Sequence, residues 1–172
     1  MRRFFTNLKA DIKRKNSRIE YRIAKVLLRN AIKISTAESC TGGLLSSRLT
    51  DVPGSSGYTT MNFVTYSNYS KQRILNVSSE TLEKYGAVSA ECASEMAQGL
   101  RRLTGSDIVL CTTGVAGPSS SENKPAGLVY IACGYKDNLV IREFRLNKRL
   151  NRKNMKFMFT EEALKMVQEA IS

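Results

Sequence analysis

Apolar positions recur along this chain in two rhythms. Ile19, Ile23, Val26 and Leu27 are spaced four, three and one apart, which is one face of a helix over roughly 6–30. Phe4, Phe5, Leu8 and Ile12 continue that face as a cationic amphipathic segment. From residue 31 the rhythm shortens. Ile32 and Ile34 alternate with polar residues, predicting a strand over 31–37. A glycine-bearing turn at 38–43 leads into a helix ending near Leu49. A loop at 51–57 and a strand rich in Thr, Tyr, Phe and Val at 58–66 come next. Short helices are predicted over 69–75 and 79–84, the second ended by Gly86. Ser89 suits an N-cap, and Ala93, Met96, Ala97, Leu100 and Leu103 keep helical spacing up to Gly105. Strands at 108–113, 128–133 and 139–144 follow, the last two joined as a hairpin. A helix over 154–171 closes the chain, with Met158, Ala163, Met166 and Ile171 toward the core. Interleaved strands and helices predict an α/β fold, a single three-layer α/β/α sandwich around a mixed, mostly parallel sheet. The chain divides into a basic helical segment over 1–30 and one domain over 31–172.

Composition narrows the chemistry. At 172 residues the chain is one domain with room for a sizeable core. No apolar run approaches the roughly 20 residues of a membrane span. Histidine is absent, which excludes Ser-His-Asp and Cys-His hydrolysis and every His-ligated metal site. Cys40, Cys92, Cys111 and Cys133 form no C-x-x-C pair, so a zinc site is not expected, and no other metal or cofactor is called for. The start lacks the apolar core of a secretory signal, and free cysteines suit a reducing cytoplasm. The net charge of +12 is uneven. Residues 1–30 hold ten Lys and Arg against two acids, and residues 142–156 hold seven against one. Such blocks attract phosphate on a nucleotide, a nucleic acid or an anionic membrane, and equally serve as solvated surface.

Three strand-to-loop junctions carry candidate chemistry. At the first, Ser39 can be a nucleophile, with helix N-terminal N–H groups as an oxyanion hole, or Ser39 and Thr41 can simply cap the helix. Gly42 and Gly43 there permit close approach of a ligand to backbone. Cys40 is the stronger intrinsic nucleophile, but adjacent residues at a turn point apart, and lysine suits a serine better than a thiol. At the second junction, Lys71 is the available activator once histidine is excluded. Its pKa must then fall from about 10.4 toward about 7, which requires burial; otherwise it is a surface lysine. At the third, Gly114 and Gly117 follow Thr113 in a loop that binds an anion or sugar or is a tight turn, and that lacks the G-K-[ST] of a P-loop. All three fall on one sheet edge in an open α/β fold.

The motifs T-A-E-S-C-T-G-G (36–43), D-x-P-G-S-S (51–56), F-V-T-Y-S-N-x-x-K (63–71), Y-G-A-V-S (85–89), T-G-V-A-G-P (113–118) and K-P-A-G-L-V-Y (124–130) resemble the CinA C-terminal domain family, which contains the bacterial nicotinamide mononucleotide amidases. They occur in family order over 32–144, and the length is similar to that of the stand-alone amidase form. The resemblance implies a three-layer fold and hydrolysis of nicotinamide mononucleotide to nicotinate mononucleotide and ammonia, a step in pyridine nucleotide recycling. It implies Ser39 as nucleophile, Lys71 as general base, Tyr66 and Thr113 as residues assisting the site, and Arg152 beside the substrate phosphate. Lys148, one helical turn before Arg152, is expected to join it, and Glu38 to face the pyridinium charge. Thr41, Gly42, Gly43, Gly114 and Gly117 complete the expected substrate contacts. The family's terminal F-x-G-[DN]-R-x-x-x-R becomes Phe144-Arg145-Leu146-Asn147-Lys148 and onward to Arg152, so Leu146 replaces a glycine and Lys148 an arginine. Lysine keeps the charge without the bidentate fork.

The expected partner is a small nucleotide, in a homo-oligomer with a dimer favoured. Two other readings use the same residues differently. One is a family member that binds without catalysing. The other is a nucleic-acid or membrane-surface binder acting through residues 1–30, whose association would depend strongly on salt.

Overall fold

The computed structural model describes residues 18–172, so the amphipathic stretch predicted over 1–17 lies outside them. Five strands, β1 (Ile34–Glu38), β2 (Thr59–Val64), β3 (Ile108–Gly114), β4 (Leu128–Tyr135) and β5 (Asn138–Arg145), form one sheet in the order β2-β1-β3-β4-β5. β1 pairs in parallel with both β2 and β3, whereas β4 runs antiparallel to β3 and to β5. β4 alone is therefore reversed, and the sheet is mixed and mostly parallel.

Helices cover both faces: α1 (Ile19–Arg29), α2 (Leu44–Thr50), α3 (Asn68–Leu75), α4 (Ser79–Lys84), α5 (Ala90–Thr104) and α6 (Arg152–Ala170). The two-residue pleat sorts β3 between them. Ile108 and Leu110 join Ile23 and Leu27 of α1, Leu45 and Leu49 of α2 and Phe159 of α6 on one side. Val109 and Cys111 join Leu75 of α3 and Met96 and Leu100 of α5 on the other. All five residues of β1 are buried, as a central parallel strand covered on both faces requires. α1 is part of this core, with Ile23, Ala24 and Leu27 buried. Among the described residues no helix is long and apolar enough to cross a membrane.

Local signals account for most boundaries. Ser89 accepts a hydrogen bond from the Cys92 N–H at the start of α5, and Gly105, in the left-handed region, ends it. Gly99 permits the closest helix contact: a Cβ there would sit 1.8 Å from the Leu75 carbonyl oxygen. Two helical faces differ from the sequence pattern. Leu103 is exposed at the end of α5 rather than facing the core. α6 begins at Arg152 and buries Met155, Phe159, Ala163, Met166 and Val167, with Ile171 packed partly buried against the same core, while Met158 stays partly exposed. Apolar residues surround α6 on several sides, Phe157 included, so its phase is chosen by packing on the sheet and α1.

A buried charge cluster joins three helices. Arg48 of α2 pairs with Glu20 of α1 at 2.8 Å and with Glu161 of α6, and its guanidinium lies 4.6 Å from the Phe157 ring centroid. Glu20 also pairs with Arg18.

Candidate active site

The carboxyl ends of β1, β2 and β3 open onto one sheet edge, at the point where the chain leaves β1 toward opposite sides. Open α/β sheets bind ligands at such crevices. Here the crevice is a cavity of about 430 Å³. Ser39, one residue beyond β1, lines it together with Tyr66 after β2, Lys71 of α3, Thr113 and Gly114 of β3, Gly117 in the following loop and Arg152 of α6.

α3 delivers the lysine. Ser67 and Ser70 form a reciprocal capping box that sets the first turn. Lys71 then falls on the inward face, one turn before the buried Leu75. Its side chain is 1% exposed, and Nζ lies 3.0 Å from Ser39 Oγ, 3.0 Å from the Thr65 carbonyl oxygen and 3.3 Å from that of Tyr66. Burial pulls the Lys71 ammonium below the ordinary lysine value of 10.5, while the Glu122 carboxylate acts in the opposite direction. Two carbonyls accept its N–H groups, so a neutral amine at this position keeps its lone pair for the Ser39 hydroxyl.

Cys40, expected to point away from the cleft, also lines the cavity beside Ser39. It is buried in the core, and burial pushes its thiol up to about 12. Thr113 donates its hydroxyl to the Ala87 carbonyl oxygen at 2.6 Å, tying β3 to the segment before α5. Arg152 closes the far rim, donating to the Gly117 carbonyl oxygen at 2.6 Å and to the Tyr66 hydroxyl at 3.0 Å.

Several residues expected at the cavity stand elsewhere. The Glu38 carboxylate accepts the N–H groups of Gly43, Leu45 and Ser46 at 3.0, 3.0 and 2.8 Å. It caps α2 and does not line the cavity, so the α2 N-terminus is occupied by the chain itself and offers no oxyanion hole. Thr41 is buried, 2.8 Å from Thr112 through their hydroxyls, and also faces away. Gly42 and Gly43 have φ of +59° and +89° and shape the turn that frees Glu38 to fold back, without lining the cavity. Lys148 is exposed and outside the lining, because α6 starts only at Arg152, capped by Asn151. A residue four positions earlier therefore lies in the loop and not on the same helical face.

The cavity also contains Glu122, which sequence reasoning did not single out. Nothing in a serine-rich loop signals that its carboxylate returns to the cleft. Among the described residues no three metal-ligating side chains gather to hold an ion.

The CinA C-terminal domain model matches residues 16–171. The chain belongs to the CinA C-terminal domain family. A relative from Acetivibrio thermocellus, named a competence-damage inducible protein, is 52% identical over 135 residues, covering 78% of this chain and 33% of the relative. A CinA-like protein from Chloroherpeton thalassium is 44% identical over 161 residues, 90% of this chain and 37% of the relative. This CinA-family chain thus spans about a third of the length of the curated relatives it matches. Among solved structures, competence/damage inducible protein CihA from Agrobacterium tumefaciens is similar with a TM-score of 0.84 at 36% identity, covering 89% of this chain and 93% of that one. A CinA superfamily protein from Escherichia coli is similar with a TM-score of 0.84 at 30% identity, covering 89% and 90%.

Proposed function

We propose that this CinA-family chain is an amidase that hydrolyses nicotinamide mononucleotide to nicotinate mononucleotide and ammonia. The observation that carries this reading is the 3.0 Å contact between buried Lys71 Nζ and Ser39 Oγ. The contact is within reach of direct proton transfer, and burial favours the neutral amine that a base needs.

The reaction runs in two halves. Lys71 accepts the Ser39 hydroxyl proton as Oγ bonds to the carboxamide carbon. The tetrahedral adduct collapses with cleavage of the C–N bond, and Lys71 returns the proton to the departing ammonia. Water then adds to the nicotinoyl ester, giving a proton to Lys71, and as the ester C–O bond breaks Lys71 returns that proton to Ser39 Oγ, freeing the serine hydroxyl and nicotinate mononucleotide. Arg152 has two of its five N–H donors engaged, which leaves donors for the mononucleotide phosphate at the far rim.

The test is direct. Purified protein incubated with nicotinamide mononucleotide should release ammonia and nicotinate mononucleotide in equal amounts. Folded protein that binds the nucleotide without releasing either would overturn the amidase reading in favour of a binding module.

A further inference from the structure

We infer that Glu122 recognises the positive ring of the substrate, so that the cavity selects a cationic pyridinium mononucleotide over a neutral-ring isostere. The substrate class rests on the amidase reading above.

Among the described residues, three charged side chains line the cavity: Lys71, Arg152 and Glu122. Lys71 stands at Ser39, and Arg152 bridges Tyr66 and Gly117 at the rim. Glu122 supplies the single carboxylate of that lining. Nicotinamide mononucleotide carries charge of both signs, a phosphate and a quaternary ring nitrogen, and its amide must reach Ser39. With the phosphate at Arg152, the carboxylate left in the cavity is the group that can answer the ring charge. Glu38, the other acid near the serine, is wholly engaged in capping α2.

The chain holds Glu122 there by specific contacts. Ser121 and Lys124 exchange backbone hydrogen bonds at 3.1 and 2.8 Å around a two-residue turn. Glu122 and Asn123 sit in it with φ of +51° and +58°, a region uncommon for residues other than glycine. Lys124 Nζ donates to the Tyr85 carbonyl oxygen at 2.8 Å and to that of Val88, clamping the turn against the cavity wall. Glu122 Oε2 accepts the Val88 N–H at 3.2 Å, while Oε1 has no hydrogen-bond partner among the described residues. Gly86 makes room, since a Cβ there would lie 2.7 Å from Oε2. One oxygen is thereby anchored and the other remains for a ligand.

The experiment compares two ligands on the full chain: nicotinamide mononucleotide, and the benzamide ribotide in which carbon replaces the ring nitrogen. Dissociation constants are measured by calorimetry with Ser39→Ala, which blocks turnover, with and without Glu122→Gln. Glutamine keeps an oxygen for the Val88 N–H, so the turn is retained. Glu122 is solvent-exposed, and a screened charge contact predicts a preference for the cationic ring of roughly tenfold. Glu122→Gln should abolish that preference and leave the affinity for the neutral ring unchanged. A preference that survives Glu122→Gln, equal affinities with Glu122 present, or no binding of the cationic mononucleotide would each overturn the inference. A Glu122-dependent preference in a protein whose Ser39 form releases no ammonia would sustain the inference and overturn the amidase reading.

Discussion

Ser39 and Cys40 are adjacent nucleophiles that both line the cavity, and the hydrogen bond from Lys71 goes to the serine. The cysteine is packed in the core with its thiol pushed up to about 12, so it holds almost no thiolate at neutral pH. The serine faces Lys71 at 3.0 Å. Ser39→Ala should therefore reduce kcat for ammonia release at least about 10²–10³-fold, and Cys40→Ala should retain most activity. The opposite pattern in the two purified variants would refute the serine assignment. Lys71 makes a second prediction at this scale. The base is the neutral amine, so kcat/KM should rise with pH through the Lys71 pKa and level off above it. Burial lowers that pKa from 10.5, which places the one-proton limb below the ordinary lysine range. Lys71→Arg keeps the charge but cannot deprotonate, and it should lose at least about 10²-fold at every pH tested.

Among the elements, α1, α2 and α6 are joined through Glu20, Arg48 and Glu161. Removing Arg48 leaves the fully buried Glu20 with Arg18, on the surface, as its one cationic partner among the described residues. Arg48→Met should cost about 3–5 kcal/mol, read as a lower urea midpoint with an unchanged slope. Burial alone would raise the Glu20 pKa. Its own backbone N–H and Arg48 outweigh that and hold it below the ordinary value of 4.5. A depressed folded-state pKa adds stability above the unfolded value, and that stability disappears as pH falls through the folded one. Wild-type protein should accordingly lose stability below about pH 4.5, more steeply than Arg48→Met does over the same range. Parallel urea titrations across that range measure the difference.

For the whole molecule, the sheet order brings loops from distant parts of the chain to one edge, and Arg152 links them by bonding both Gly117 and the Tyr66 hydroxyl. Arg152→Ala should raise KM for the mononucleotide about tenfold, with a smaller loss in kcat because phosphate is remote from the bond broken. The phosphate-free riboside should respond much less. Equal effects on both substrates would assign Arg152 to holding the rim together instead of holding phosphate.

Short-range pattern was enough to locate the strands, the Ser89 and Gly105 ends of α5 and the interleaved α/β order, because pleat, helical period and capping are local properties. The strand-end position pointed to Ser39 and, with histidine absent, to Lys71 in the first turn of α3, whereas Tyr66 and Thr113 came from the resemblance to the CinA family. Packing alone decided the rest. Glu38 turned back onto α2, because unpaired N–H groups lay within its reach. Lys148 stayed in a loop, because the helix that would have aligned it with Arg152 starts at Arg152 itself. Glu122 reached the cavity from a loop distant in sequence from Ser39, held by the backbone of Val88. Its position depends on contacts between segments far apart in the chain, and those contacts exist only once the sheet has assembled.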